Sequence, residues 1–134
     1  MVKLAVGTFE VDLRPQAEPD SAAGTTLGRM SIDKQFRGDL EGSSKGQMLT
    51  AMTNVDGSAG YVALERVTGT LHGRQGSFIF QHSGIMSRGE QRLTITVVPD
   101  SGSDELAGIM GVFQLDIVDG QHLYTFEYTL PEEA

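Results

Sequence analysis

The chain has no cysteine and no tryptophan, and its 10 lysines and arginines face 18 aspartates and glutamates, a formal net charge of −8 over 134 residues. Each shortage removes a class of chemistry. Without cysteine there is no disulfide scaffold, no thiolate nucleophile and no zinc–thiolate site. So few cations leave little to displace counterions from a nucleic-acid backbone, which argues against nucleic-acid binding. Three tyrosines and six phenylalanines in an acidic chain do not suggest a platform for stacked bases. No stretch approaches the roughly 18 consecutive apolar residues of a membrane helix. The apolar run Leu4–Val6 is short and Glu10 follows it closely, unlike a secretory leader. These absences lead to the expectation of a cytoplasmic protein with no membrane partner and no nucleic-acid partner. Also missing is any amphipathic helical period of useful length, any long repeat and any low-complexity linker.

What is present is period-two alternation, interrupted by turn residues, and a glycine content of 17 in 134. Eight strands are predicted, at about 4–13, 26–37, 39–53, 59–72, 76–87, 90–98, 107–118 and 121–130. Asp56-Gly57 and Asp119-Gly120 are strong hairpin signals. Residues 14–25 hold two prolines, small residues and a glycine, and read as one long loop with no regular element. Ser103–Leu106 allows one short helical turn, and 131–134 reads as a solvated tail. Short connections make neighbouring strands antiparallel. Glycines within strands, at Gly42, Gly46, Gly69 and Gly111, fit coiling at barrel corners better than flat sheets. The fold class expected is therefore all-β: a single closed eight-stranded antiparallel β-barrel forming one domain over 1–134, with a two-sheet sandwich as its rival. A barrel of eight strands is either filled by side chains or holds one small ligand.

Two motif matches lack their context. Gly42-Ser43-Ser44-Lys45-Gly46 fits the G-x-S-x-G of a nucleophile elbow, but no strand–turn–helix surrounds it. Ser31 and Lys34 fit S-x-x-K, but on a strand residues three apart face opposite sides. The three histidines, His72, His82 and His122, form no metal-binding pair, so neither a metal nor a cofactor is expected. His82 shares the parity of Phe78 and Phe80 and points inward if they do, as a satisfied structural histidine or as a ligand contact. Glu65 sits mid-strand between Ala63 and Val67, a costly place for a charge. It is either salt-bridged, with Arg29, Arg74 or Arg92 as the partners considered, or open to a cavity with a raised pKa suited to acid–base work. Glu41 is the second such carboxylate. Tyr61 and Gln81 complete the candidate ligand-binding set of Glu41, Tyr61, Glu65, Gln81 and His82.

The run Tyr61-Val62-Ala63-Leu64-Glu65-Arg66-Val67-Thr68-Gly69-Thr70-Leu71-His72-Gly73-Arg74-Gln75-Gly76-Ser77-Phe78 resembles a bacterial family catalogued as domain of unknown function 3224. Gly38–Gly42, Gln81–Gly84, Val98–Gly111 and His122–Tyr124 carry the same resemblance, most clearly over 26–130. The resemblance implies a barrel like that of allene oxide cyclase. It supplies no activity and no residue roles, so cyclase chemistry inferred from it is analogy of fold alone. The functional expectation is a barrel that binds a small hydrophobic ligand and forms a homo-oligomer, a dimer or trimer. The alternatives are an isomerase or cyclase using a barrel carboxylate, and a structural or interaction protein with a filled interior.

Overall fold

A computed structural model describes residues 1–131 of the chain; Glu132, Glu133 and Ala134, the bulk of the expected tail, lie outside the described residues. The strands are β1 (Lys3–Pro15), β2 (Asp20–Ala22), β3 (Thr25–Gly38), β4 (Leu40–Thr53), β5 (Ala59–Leu71), β6 (Arg74–Ser87), β7 (Glu90–Val97), β8 (Met110–Val118) and β9 (Gln121–Thr129). A single 3₁₀ turn, Asp104–Leu106, lies between β7 and β8. Eight long antiparallel strands run in the order β1-β9-β8-β7-β6-β5-β4-β3, and β3 returns to pair with β1, closing the barrel. The staves are unequal. β5 and β6 pair along their whole length, whereas β7 and β8 meet at one position, Thr96 opposite Val112.

The expected structureless loop at 14–25 is shorter than its composition suggested. β1 continues through Pro15, which lies beyond the stretch paired with β9, so its missing N–H faces no second strand. β2 then takes the place that β1 has left beside β3, with Ser21 opposite Thr26 and their hydroxyls 2.8 Å apart. The turn between β2 and β3 is Ala23-Gly24, both with positive φ, the geometry that tight hairpins need. β8 begins at Met110, three residues later than expected, because the chain leaves the 3₁₀ turn through Ala107, Gly108 with its positive φ, and Ile109 before it enters the sheet.

Alternation decides what points inward. One end of the barrel carries the connections at Gly38–Leu40, Leu71–Arg74 and 98–109, and this end is closed. Leu106 and Ile109, both fully buried, plug it over Phe78, Phe80, Phe113, Phe126 and Tyr128. The rings pack at centroid distances such as 4.9 Å (Phe80–Phe113) and 5.0 Å (Phe78–Phe80), within the range of favourable aromatic pairs. The opposite end, bounded by the hairpins at 53–59, 87–90 and 118–121, holds a smaller cluster of Ile32, Met48 and Ala63. No helix among the described residues is long and apolar enough to cross a membrane.

Candidate functional site

Between the aromatic core and the open end lies a group of buried polar side chains. β3 contributes Lys34, β4 Ser44, β5 Glu65 and β6 His82, and all four are buried. Lys34 and Ser44 are direct partners across β3 and β4, and Ala63 and His82 across β5 and β6. Glu65 is opposite Gly46, where a side chain has no room: a Cβ there falls 2.2 Å from the Leu64 carbonyl oxygen.

Glu65 is the hub. Its Oε1 accepts from Lys34 Nζ at 2.8 Å and meets His82 Nε2 at 2.7 Å, and its Oε2 accepts from Ser44 Oγ at 2.6 Å. Burial pushes the carboxyl upward, but the His82 hydrogen bond and the Lys34 charge outweigh it and hold Glu65 at about 2. Lys34 also sits 5.0 Å from the centre of the Phe9 ring and 5.7 Å from that of Phe113, which ties the charge cluster to the aromatic core. Among the described residues, every buried side-chain nitrogen and oxygen has a hydrogen-bond partner.

Tyr61 links this cluster to the open end. Its hydroxyl is 3.4 Å from His82 Nδ1, and its ring lies across Gly84, its direct partner on β6. A Cβ at Gly84 would fall 2.3 Å from Tyr61 Cε1, so the bare glycine is what gives the ring its seat. Burial, helped by the Glu65 charge, raises the phenol pKa and keeps its proton in place. Tyr61 forms part of the wall of a pocket of about 210 Å³, with Met48, Met52, Ile85, Met86 and Leu93.

Three of the five expected site residues therefore come together: Tyr61, Glu65 and His82. The other two do not. Glu41 is exposed on the outer wall, where its carboxylate accepts from the Gly38 N–H at 3.1 Å, and Gln81 is exposed on the outer wall of β6. Both have the parity opposite to the inward residues of their strands. Glu65 has neither the arginine partners considered nor a raised pKa. Its cation is Lys34, and both its oxygens are engaged, Oε1 by Lys34 and His82 and Oε2 by Ser44.

Lys34 and Ser44 were missed although their signals were legible. Lys34 has the parity of Ile32 and Phe36, both buried, and Ser44 that of Leu40 and Met48. The G-x-S-x-G match thus holds an inward serine, but one that donates to Glu65 from the middle of a strand. The remaining histidines lie elsewhere: His72 bonds to Tyr128, and the His122 ring lies tilted against Phe9, centroids 5.0 Å apart.

Fold and site together define a closed antiparallel β-barrel with a buried lysine–glutamate–histidine cluster beneath an apolar pocket. The chain matches the family described as "Protein of unknown function (DUF3224)" over residues 5–128, and it belongs to that family. It is similar to the crystal structure, at 1.84 Å resolution, of a protein with unknown function from the DUF3224 family of Shewanella oneidensis MR-1. The two share 48% identity and a TM-score of 0.95, over 99% of this chain and 100% of that one. No curated protein matches the chain.

Proposed function

We propose that the protein binds one small, largely apolar molecule at the open end of the barrel, with Tyr61 as its polar contact. The observation that carries this reading is the Tyr61 ring, shared between the pocket wall and the buried cluster. The pocket is small: about 210 Å³ lies below the roughly 300 Å³ at which drug-sized sites begin. A single ring or a short acyl chain suits it better than a long-chain lipid. Methionine at three wall positions, Met48, Met52 and Met86, gives an adaptable and polarizable lining. The filled aromatic end supports confining the site to this mouth.

Native mass spectrometry of freshly purified protein tests the reading. A reproducible adduct of small mass, lost from a Met48→Trp variant that fills the pocket, is expected. A bare protein mass, together with no thermal shift against small aromatic and short-chain compounds, overturns it.

A further inference from the structure

We infer that two copies of the chain pair about a twofold axis through the outer wall of β4, β5 and β6. An antiparallel wall that faces water carries polar residues on its outer side. Here Leu49 on β4, Val62 and Leu64 on β5 and Ile85 on β6 point outward, and each is more than half exposed. Leu49 is directly opposite Val62, and in the next row Gly60 joins Ala51 to Ile85, so the apolar groups form one patch. Leu27, as exposed as they are, extends it onto β3 opposite Ala51. Patches of this kind mark interaction sites. A second apolar stretch, Leu4 on β1 and Val112 on β8, is interrupted by Glu127, which lies between them on β9 and opposite both.

Charge points to a second copy as the occupant. Of the 18 aspartates and glutamates, only Asp56 and Glu65 fall between Gly42 and Gly89. Glu65 is buried inside the barrel and Asp56 sits in the hairpin 53–59 at the open end, so from Gly42 onward the outer wall of β4–β6 carries no carboxylate. Two chains of net charge −8 repel each other, and an approach over this wall keeps their carboxylates apart. Lys45 and Arg66 are direct partners across β4 and β5, a position in which like charges repel. Asp33 lies opposite Lys45 on β3, yet among the described residues neither cation makes a salt bridge, and nor does Asp56. Arg66 lies roughly 13 Å to one side of Val62 along β5, and the strand gives way to the Asp56 hairpin about 10 Å to the other. A twofold axis near Leu49 and Val62, with the strands of the two copies antiparallel, therefore brings Lys45 and Arg66 toward Asp56 of the partner subunit while the apolar groups meet in the middle. The area agrees. β3–β6 are 13 or 14 residues long, and at about 3.3 Å per residue and 4.8 Å per strand their outer wall measures on the order of 800 Å², one side of a standard interface.

Sedimentation equilibrium of the whole chain at micromolar concentration is expected to give twice the chain mass of 14.4 kDa. Val62→Glu, at the centre of the wall, should halve that mass without moving the thermal midpoint of the barrel, and Leu64→Glu gives a second reading of the same wall. Leu4→Glu, the same change on the other apolar stretch, should leave the dimer intact. Arg66→Asp should weaken the dimer about tenfold, and adding Asp56→Arg should recover it, because the antiparallel pairing makes these two charges meet. A monomer throughout the micromolar range overturns the pairing, and a trimer or larger ring overturns the twofold axis. A dimer that survives both Val62→Glu and Leu64→Glu, or is lost with Leu4→Glu, overturns the assignment to this wall. A charge exchange that fails to recover the dimer overturns its antiparallel orientation.

Discussion

The closed end of the barrel is filled by Phe78, Phe80, Phe113, Phe126 and Tyr128 under the plug of Leu106 and Ile109, whereas the open end has Met48, Met52, Tyr61 and Met86 around a pocket. The same alternation serves both ends, so the difference lies in side-chain character. Aromatic rings from β6, β8 and β9 pack against one another at the closed end. Methionines are thinner and flexible, and they yield space without a fixed shape. The Lys34–Glu65–His82 cluster marks the border, joined to the rings through Lys34 and to the pocket through Tyr61. One strand set thus builds an aromatic base and a methionine-lined mouth, with a charged layer between them.

The contrast can be broken from either side. Phe80→Ala removes a fully buried ring from the closed end and should cost about 3–5 kcal/mol, read as a lowered midpoint in urea with little change in slope. Glu65→Leu strands the Lys34 cation and should also cost about 3–5 kcal/mol. Adding Lys34→Met to it should restore part of that loss, and a double-mutant cycle measures the coupling.

Acid should act on the border first. The folded protein holds Glu65 at about 2 against an ordinary value of 4.5, so the unfolded chain takes up this proton at higher pH than the folded one. The stability that Glu65 contributes is present above about pH 5 and is lost as the pH falls toward 2, a loss of roughly 3 kcal/mol. Denaturant midpoints across that window should show the slope, and Glu65→Gln should flatten it.

Smaller effects belong to the mouth. Gly84→Ala drives a methyl into the Tyr61 ring and should cost about 1–3 kcal/mol, with altered tyrosine fluorescence as the ring leaves its seat. Met52→Ala, at a half-exposed wall position, should change stability by less than about 0.5 kcal/mol in the same urea titration, yet weaken ligand binding.

Much of this was legible in the sequence. Shared parity put Phe78, Phe80 and His82 on one face, which the structure turns inward, and Glu65 between Ala63 and Val67 stood out as a charge either salt-bridged or open to a cavity. The eight long strands followed from period-two alternation and from turn chemistry such as Asp56-Gly57 and Asp119-Gly120. What was not legible depended on pairing between distant strands. Glu65 and Lys34 are 31 residues apart, and only the joint register of β3, β4 and β5 brings them within 2.8 Å. Glu41 and Gln81 were grouped with the site by residue type, and their parity, which governs orientation on a strand, put them on the outer wall. The hairpin between β2 and β3 was hidden because Ala23-Gly24 is a less common turn pair than Asp-Gly or Asn-Gly.

The methionines offer the most direct measurement. Six are spread over the chain, and three of them, Met48, Met52 and Met86, line the pocket. With ¹³C-methyl methionine, each gives its own NMR signal during a titration with p-cresol. The account predicts saturable shifts for Met48, Met52 and Met86, with Met1 and Met110 unmoved. Saturable shifts centred on Met110, or none at any methionine, would contradict it.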